Sequence, residues 1–257
     1  MKPIIIIQAR TGSTRLPQKM IKPFWRDKTV LDILLERLKT IKSQFVEDII
    51  VATTVNPKDD TIEKVCQYHN VKVFRGSEND VLQRFIDAAE KYGAEKIIRV
   101  CADNVFLDIE SLTSLAAILE ENDYDYISYQ TNEGKPSILT HFGFLAEGVK
   151  LSALKNVAEK TNAAIFHEHV TNRIHSAPDL YNVKFYPIED VIPGLENHPN
   201  LRLTLDTYDD FEVQRRIYED LMSKNSSFTP QEIMIYLDEE HPEYYETMRN
   251  TIIANIK

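Results

Sequence analysis

The sequence has few of the features that mark secreted or membrane proteins. Its two cysteines, Cys66 and Cys101, cannot build a disulfide framework and indicate reduced thiols in the cytosol. The first apolar run, Ile4 to Ile7, is too short for a signal peptide and far too short to span a membrane. Internal repeats and low-complexity linkers are absent. We therefore expect a cytoplasmic protein without membrane insertion.

The commoner motifs for binding nucleotides and nucleic acids are also missing. The dinucleotide fingerprint G-x-G-x-x-G does not occur, and Gly12 lacks the second glycine and the Lys-Ser/Thr pair that complete a Walker loop. The net charge of −10, with a pI near 5.2, argues against a general nucleic-acid binder, which is normally basic. Any phosphate site in this chain must therefore have another form.

Carboxylates are absent from the first 26 residues, although the rest of the chain is acidic. The six cations of this segment are Lys2, Arg10, Arg15, Lys19, Lys22 and Arg26. Ile4 to Ile7 predicts a strand buried on both faces, and a polar loop with Gly12 and Ser13 follows it. Glycine lets backbone amides approach phosphate oxygens, so the loop indicates an anionic ligand. A basic surface loop without a ligand is the alternative.

Apolar segments typical of strands and helices alternate through the first half of the chain, which predicts βαβ units and a mostly parallel sheet flanked by helices. Asp60 to His69 and Leu151 to Lys160 read as helices, and a longer helix is predicted over residues 163–175. Strands are predicted at 48–54, 71–74, 96–101, 125–129, 182–187 and 201–205. Further helices are predicted at 29–43 with Thr29 as cap, at 77–92 with Ser77 as cap, at 109–121 and at 208–222, and from 229 to the end in two parts split by His241-Pro242.

Two carboxylates follow predicted strands, where ligands bind in open α/β sheets. Asp103 comes after the strand Lys96 to Cys101 and has no evident structural task, because Asp108 already caps the next helix. Asp206 follows Leu201 to Leu205 and could cap the helix after it, although Thr207 can do so as well. Both aspartates are therefore candidate metal ligands.

The stretch ARTGSTRLPQK resembles the signature A-R-x-G-S-x-R-L-P-x-K of CTP-using sugar nucleotidyltransferases. These include the CMP-sialic acid and CMP-KDO synthetases and, most similar, the spore-coat SpsF-like cytidylyltransferases. The segments DIIVATT, FRGSENDVLQRF, KIIRVCADNVFLD and LDTYDDFE are similar to further SpsF-like patterns. Cys101, Ala102 and Val105 depart from them, because Thr, Gly and Pro are usual there.

The resemblance implies a Rossmann-like, mixed but mostly parallel sheet in one nucleotidyltransferase domain, 1–257. Residues 1–125 would form the nucleotide-binding half, 126–225 the acceptor-binding half and 226–257 C-terminal helices. It implies Mg²⁺ as cofactor, held by Asp103 and Asp206, and catalytic roles for Arg10, Lys19 and Asp103. The nucleotide would contact Ala9, Arg10, Gly12, Ser13, Arg15, Lys19, Asp80 and Arg84, and the acceptor would contact His169 or Arg173.

The implied reaction transfers CMP from CTP to a sugar, a sugar acid or a phosphorylated acceptor for surface-polysaccharide assembly. Two alternatives stay open: a glycosyltransferase that cleaves a nucleotide sugar, and a nucleotide-binding module without catalysis. The D-x-D pair of the first, Asp123-Tyr124-Asp125, precedes its strand instead of following it. A zinc site at His167 and His169 is disfavoured, because residues i and i+2 do not face each other on a helix. Monomer and homodimer both stay open.

Overall fold

The computed structural model describes residues 1–225 and 227–255, and a mixed seven-stranded sheet forms its centre. The strands are β1 Ile4–Gln8, β2 Pro23–Trp25, β3 Lys28–Thr29, β4 Ile49–Thr54, β5 Lys72–Gly76, β6 Lys96–Cys101, β7 Tyr126–Gln130, β8 Glu147–Lys150 and β9 Val183–Pro187. The order in the sheet is β5-β4-β1-β6-β8-β7-β9, and β2 and β3 form a separate hairpin. Because only β8 runs antiparallel to its neighbours, the predicted mostly parallel α/β class is confirmed.

Five of the ten helices in residues 1–225 and 227–255 begin at a residue whose side chain caps them. The ten helices are α1 Val30–Leu38, α2 Asp60–Tyr68, α3 Val81–Lys91, α4 Ile109–Glu121, α5 Leu151–Lys160, α6 Ala164–Glu168, α7 Asn172–His175, α8 Tyr208–Lys224, α9 Pro230–Glu239 and α10 Tyr244–Ala254. Thr29, Asp108 and Thr207 cap α1, α4 and α8 as predicted. Asp80 caps α3, so the cap predicted at Ser77 was wrong.

The isoleucine run of β1 joins both layers of the core. Ile5 and Ile7 pack into the larger apolar cluster with residues of α1 and α4, such as Leu34 and Leu115. Ile4 and Ile6 face the opposite side and pack with residues of α3 and α5. Successive side chains of a strand point to opposite faces, so a strand covered on both sides needs an unbroken apolar run.

The end of β1 lies at the point where the strand order reverses. β1 pairs with β4 on one side and with β6 on the other, and Gln8 is opposite both Ala52 and Cys101. The loops that follow β1 and β6 therefore leave the sheet side by side, at the edge where open α/β sheets bind ligands.

Two predicted elements have a different form. Residues 163–175 make the short helices α6 and α7 instead of one helix. The segment 201–205 is not part of the sheet, because its amides bond to loops: Leu203 donates to the carbonyl of His141, and Leu205 to that of Asp103. Gly143, at φ +73°, allows this approach, since a Cβ there would lie 2.4 Å from the carbonyl oxygen of Leu203.

The C-terminal region contains the two predicted helices, α9 and α10, separated at His241-Pro242. Residues 226, 256 and 257 of the predicted segment 226–257 lie outside the described residues. Over the described parts of the chain, no helix combines the length and the apolar character needed to cross a bilayer.

Candidate active site

A cleft of about 620 Å³ opens at the carboxyl ends of β1 and β6. It contains seven of the residues predicted from the sequence: Arg10, Ser13, Arg15, Lys19, Asp103, His169 and Asp206. They come from four distant parts of the chain, namely the loop after β1, the turn after β6, the segment after α6 and the turn before α8. The cleft thus brings the cationic loop and both candidate metal ligands together.

The ammonium group of Lys19 lies between the two aspartates. Its Nζ donates to Asp103 Oδ2 at 2.9 Å, to Asp206 Oδ1 at 3.5 Å and to the carbonyl oxygen of Leu205 at 2.6 Å. An ammonium group has three N–H donors, so these acceptors satisfy it fully. Asp103 and Asp206, which are 103 residues apart in sequence, therefore face the same small volume.

Charge pairing outweighs burial at this cluster. Burial lowers the pKa of Lys19, but Asp103 and Asp206 raise it further, so it lies above its ordinary value. Burial likewise raises the pKa of Asp206, and Lys19, Arg15 and Arg202 together hold it below its usual range. Both groups are therefore charged at neutral pH.

A buried arginine holds Asp206 from the side away from the cleft. Arg202 is 1% exposed and donates from Nη2 to Asp206 Oδ2 at 3.0 Å. It also donates to both carboxylate oxygens of Asp210, at 2.8 and 3.1 Å, and to Nδ1 of His141 at 2.8 Å. Asp206 Oδ2 thus accepts from the buried Arg202, while Oδ1 faces Lys19 and Arg15. Sequence reasoning missed Arg202, although it precedes Asp206 in LRLTLDT.

The C-terminal helix α10 closes one end of the cleft. Arg15 donates from Nη1 to Asn255 Oδ1 at 2.6 Å and pairs through Nη2 with Asp206 Oδ1 at 3.0 Å. Asn255 is held in turn by donating from Nδ2 to the carbonyl of Thr251 at 2.8 Å. No sequence motif pointed to Asn255.

The wall on the β6 side contains a second buried cation. Arg99, which is 7% exposed, pairs with Glu147 on β8 and donates to Gln8 Oε1 at 3.3 Å. Glu147 also accepts hydrogen bonds from Tyr126 and Thr171. Arg99 and Gln8 line the cleft with Glu168 and His169, so this wall offers donors and acceptors at some distance from Lys19.

Five predicted residues do not line the cleft. Ala9 and Gly12 lie in the loop after β1, Asp80 caps α3 and accepts from His167, and Arg173 lies over the ring of Phe166, 5.4 Å from its centroid. Arg84 is fully buried beneath the loop 76–80, donates to the carbonyl of Ser77, and has its pKa lowered to about 10 by burial.

The two aspartates of the D-x-D pair form contacts within the protein. Asp123 pairs with Lys150, and Asp125 accepts from the amide of Asn182 at 2.9 Å. Within residues 1–225 and 227–255, no group of three or more His, Cys, Asp or Glu side chains could hold a metal ion. Cys66 and Cys101 are both free, and burial raises the pKa of the Cys101 thiol to about 11.

The donor set suits a magnesium ion. Asp103 and Asp206 supply carboxylate oxygens, and Mg²⁺ needs only one or two carboxylates because it retains several waters. A positive charge, the ammonium of Lys19, already lies between them. The site therefore accommodates a cation at this point by charge and by ligand chemistry.

A sheet of this topology, with a cationic loop and two carboxylates in one cleft, defines an enzyme that handles nucleoside triphosphates, a nucleotidyltransferase. The chain belongs to the cytidylyltransferase family, whose sequence model matches residues 4–249. It is a CTP-dependent nucleotidyltransferase, as the N-terminal signature predicted.

Individual relatives match most of the chain. It is 40% identical over 213 residues to the uncharacterized protein MJ1063 of Methanocaldococcus jannaschii, covering 83% of this chain and 82% of that protein. It is 34% identical over 223 residues to the spore coat polysaccharide biosynthesis protein SpsF of Bacillus subtilis, covering 84% and 86%. A cytidylyltransferase structure from Leptospira borgpetersenii superposes with a TM-score of 0.80 at 29% identity, covering 95% and 97%.

Proposed function

We propose that this enzyme transfers CMP from CTP to a sugar, a sugar acid or a phosphorylated sugar-like acceptor and releases pyrophosphate. The observation that carries the proposal is the meeting of Arg10, Arg15 and Lys19 with Asp103 and Asp206 in one cleft. A role in surface-polysaccharide synthesis is supported by the similarity to the Bacillus subtilis relative, a spore coat polysaccharide biosynthesis protein.

In the proposed reaction an acceptor oxygen attacks the α-phosphorus of CTP. The new bond joins that oxygen to the α-phosphorus, and the bond between the α-phosphorus and the oxygen bridging to the β-phosphorus breaks. Pyrophosphate leaves with that oxygen, and the proton of an attacking hydroxyl passes to solvent. Negative charge grows on the leaving pyrophosphate, so catalysis depends mainly on positioning and on fixed positive charge.

The chain supplies that charge from the loop after β1. Arg10 has no ion pair within the described residues, so its guanidinium is available for a phosphate group. Arginine binds phosphate through two parallel hydrogen bonds, while Lys19 acts as a point charge. Gly12 would offer its backbone amide. Ala9 and Ser13 would border the phosphates, since their amides already donate to the carbonyls of Ala52 and Thr11. Asp80 and Arg84 would border the ribose or the base.

Asp103 and Asp206 would hold Mg²⁺, which when bound neutralises phosphate charge and polarises the α-phosphoryl group. Phosphate oxygens and carboxylates then compete for Lys19. Arg202 keeps one oxygen of Asp206 directed away from the cleft throughout, so the other oxygen stays in position.

The acceptor would bind along the β6 wall. His169, Glu168, Gln8 and Arg99 provide polar groups there, which suits a hydroxyl-rich molecule. Arg173, the other predicted acceptor contact, would reach the cleft only after a change of rotamer, because it now lies over Phe166.

An acceptor screen with CTP and Mg²⁺, measured by pyrophosphate release and product mass, tests the proposal. Replacing Lys19 by Ala or Asp103 by Asn should lower turnover by about two orders of magnitude or more, as the loss of a preorganised charge contact does. Lys22→Ala is the matched control, since Lys22 belongs to the same basic segment but lies against Phe211 outside the cleft.

Three outcomes would contradict parts of the proposal. Near-normal turnover in both variants would remove the mechanism. CTP binding without pyrophosphate release for any acceptor would favour a binding module, and cleavage of a nucleotide sugar would favour a glycosyltransferase.

A further inference from the structure

Thr11 occupies the position that the N-terminal signature leaves open, between Arg10 and Gly12. Its carbonyl oxygen accepts from the amides of Ser13 at 2.9 Å and Gln18 at 3.0 Å, so the loop closes around it. Its own amide and hydroxyl both donate to Asp59 Oδ1, at 2.8 and 2.6 Å. Every polar group of Thr11 thus has a partner, and the two donors share one acceptor.

Asp59 connects this loop to the end of β4. The side chain is 2% exposed, and its second oxygen, Oδ2, accepts from the amide and the hydroxyl of Thr54 at 3.3 and 2.5 Å. One carboxylate oxygen therefore serves the loop after β1, and the other serves the neighbouring strand.

In the described part of the chain, the Asp59 carboxylate is held by hydrogen bonds and not by an ion pair. Within residues 1–225 and 227–255 it forms no ion pair, and burial raises its pKa. The four hydrogen bonds from Thr11 and Thr54 more than compensate, so the pKa of Asp59 is below its ordinary value. A buried charge with only neutral donors is costly to keep, which makes its position informative.

We propose that Asp59 is a positioning residue of the nucleotide site: through Thr11 it holds the loop of Arg10, Gly12 and Ser13 in the conformation that receives the triphosphate. The proposal rests on the proposed function, because it takes this loop as the phosphate-binding element. Asp59 itself does not line the cleft and acts only through Thr11.

The physical benefit is that the loop is ordered before the nucleotide binds. Fixing a backbone residue in one conformation costs conformational entropy. A loop that is already fixed by the fold spares the ligand that cost, and CTP then binds more tightly. Removing the anchor should thus weaken CTP binding without removing any group that touches CTP.

Thr11→Val tests this directly, because it removes the hydroxyl while the backbone amide and the side-chain volume stay. We expect the dissociation constant for CTP with Mg²⁺, measured by calorimetry, to rise about tenfold, the usual effect of losing one hydrogen bond to a charged group. In the ligand-free protein, amide hydrogen exchange of residues 9–19 should become faster. Thr11→Ser, which retains the hydroxyl, should restore both quantities.

The matched control is Thr53→Val. Thr53 is fully buried beside Thr54, and its hydroxyl has no hydrogen-bond partner in the described parts of the chain. The same Thr→Val change there should leave CTP affinity and loop exchange unaltered. Asp59→Asn is the more severe variant, because the amide group cannot accept from both Thr11 and Thr54, so its melting temperature is measured alongside.

Unchanged CTP affinity and unchanged loop exchange in Thr11→Val would overturn the role of Asp59 while leaving the proposed function intact. An equal rise in the CTP dissociation constant and equally faster loop exchange in Thr53→Val would also overturn it. Any Thr→Val change in this region would then have the same effect. Wild-type protein that binds no CTP would remove the proposed function itself, and the role given to Asp59 with it.

Discussion

Arg202 fixes the side chain of Asp206, and the effect of changing it can be predicted. Arg202→Lys keeps the charge beside Asp210 but cannot make all the hydrogen bonds to Asp206, Asp210 and His141. We expect metal affinity, measured by calorimetry with Mn²⁺, to fall about 10- to 100-fold, as is typical when a partner of a metal ligand is lost.

Arg215→Lys is the control for this change. Arg215 is a partly exposed arginine on α8, paired with Glu212 and Glu219 on the same helix. Exposed ion pairs of this kind contribute little to stability. Wild-type metal affinity in Arg202→Lys, with the melting temperature unchanged, would show that Asp206 is held in place by other means.

At the scale of residues, the sequence predicted the groups that face the cleft better than those behind them. Lys19, Asp103 and Asp206 belong to recognisable patterns, and the structure brings them together. Arg202 pairs with Asp206 and Asp210 nearby in the sequence, but also with a residue from a distant segment. Asp59 and Asn255 likewise contact the distant Thr11 and Arg15, and no local pattern displays such distant pairings. His141, for example, meets Arg202 across 61 residues of chain.

The helices α3 and α6 are joined by one histidine, whose charge state should affect stability. His167 Nδ1 contacts Asp80 Oδ2 at 2.8 Å, and Nε2 contacts the carbonyl of Thr161 at 2.9 Å. Both partners are acceptors, so both ring nitrogens must donate, which favours the imidazolium form. The hydrogen bond to Thr161 and, less strongly, Asp80 raise the pKa of His167 despite partial burial.

A raised pKa in the folded state means that protonation favours folding. The contribution is complete below the pKa of the unfolded chain and disappears as the pH rises through the higher folded value. His167→Gln should therefore lower the free energy of unfolding more at about pH 5.5 than at about pH 9. Urea unfolding at both values measures the difference, and an equal loss at both would contradict the assignment.

At the scale of elements, the strands and helices with strong local signals were predicted well, and those that depend on distant contacts were not. The bounds predicted for β6, α4 and α5 agree with the structure. The segment 201–205 has the alternation of a strand, yet its amides bond to His141 and Asp103. The β2–β3 hairpin was missed because Arg26 adopts φ +54°, which is uncommon for a residue other than glycine.

At the scale of the whole molecule, the two predicted halves share one sheet. β8 pairs with β6 from the first half and with β7 from the second, so the hydrogen-bonded ladder crosses the boundary at residue 125. We propose that the chain is a single cooperative domain. Calorimetry should show one unfolding transition with equal calorimetric and van't Hoff enthalpies. Two resolved transitions would mean that the halves unfold independently.

The position of Lys19 has a consequence for how far the fold depends on metal. An amine from the chain itself serves as counter-ion to two acids that would otherwise repel each other. We therefore expect the fold to form without a bound metal ion, in contrast to small metal-folded modules. With Mg²⁺ as the proposed cofactor, chelating agents should abolish the activity and leave the protein folded.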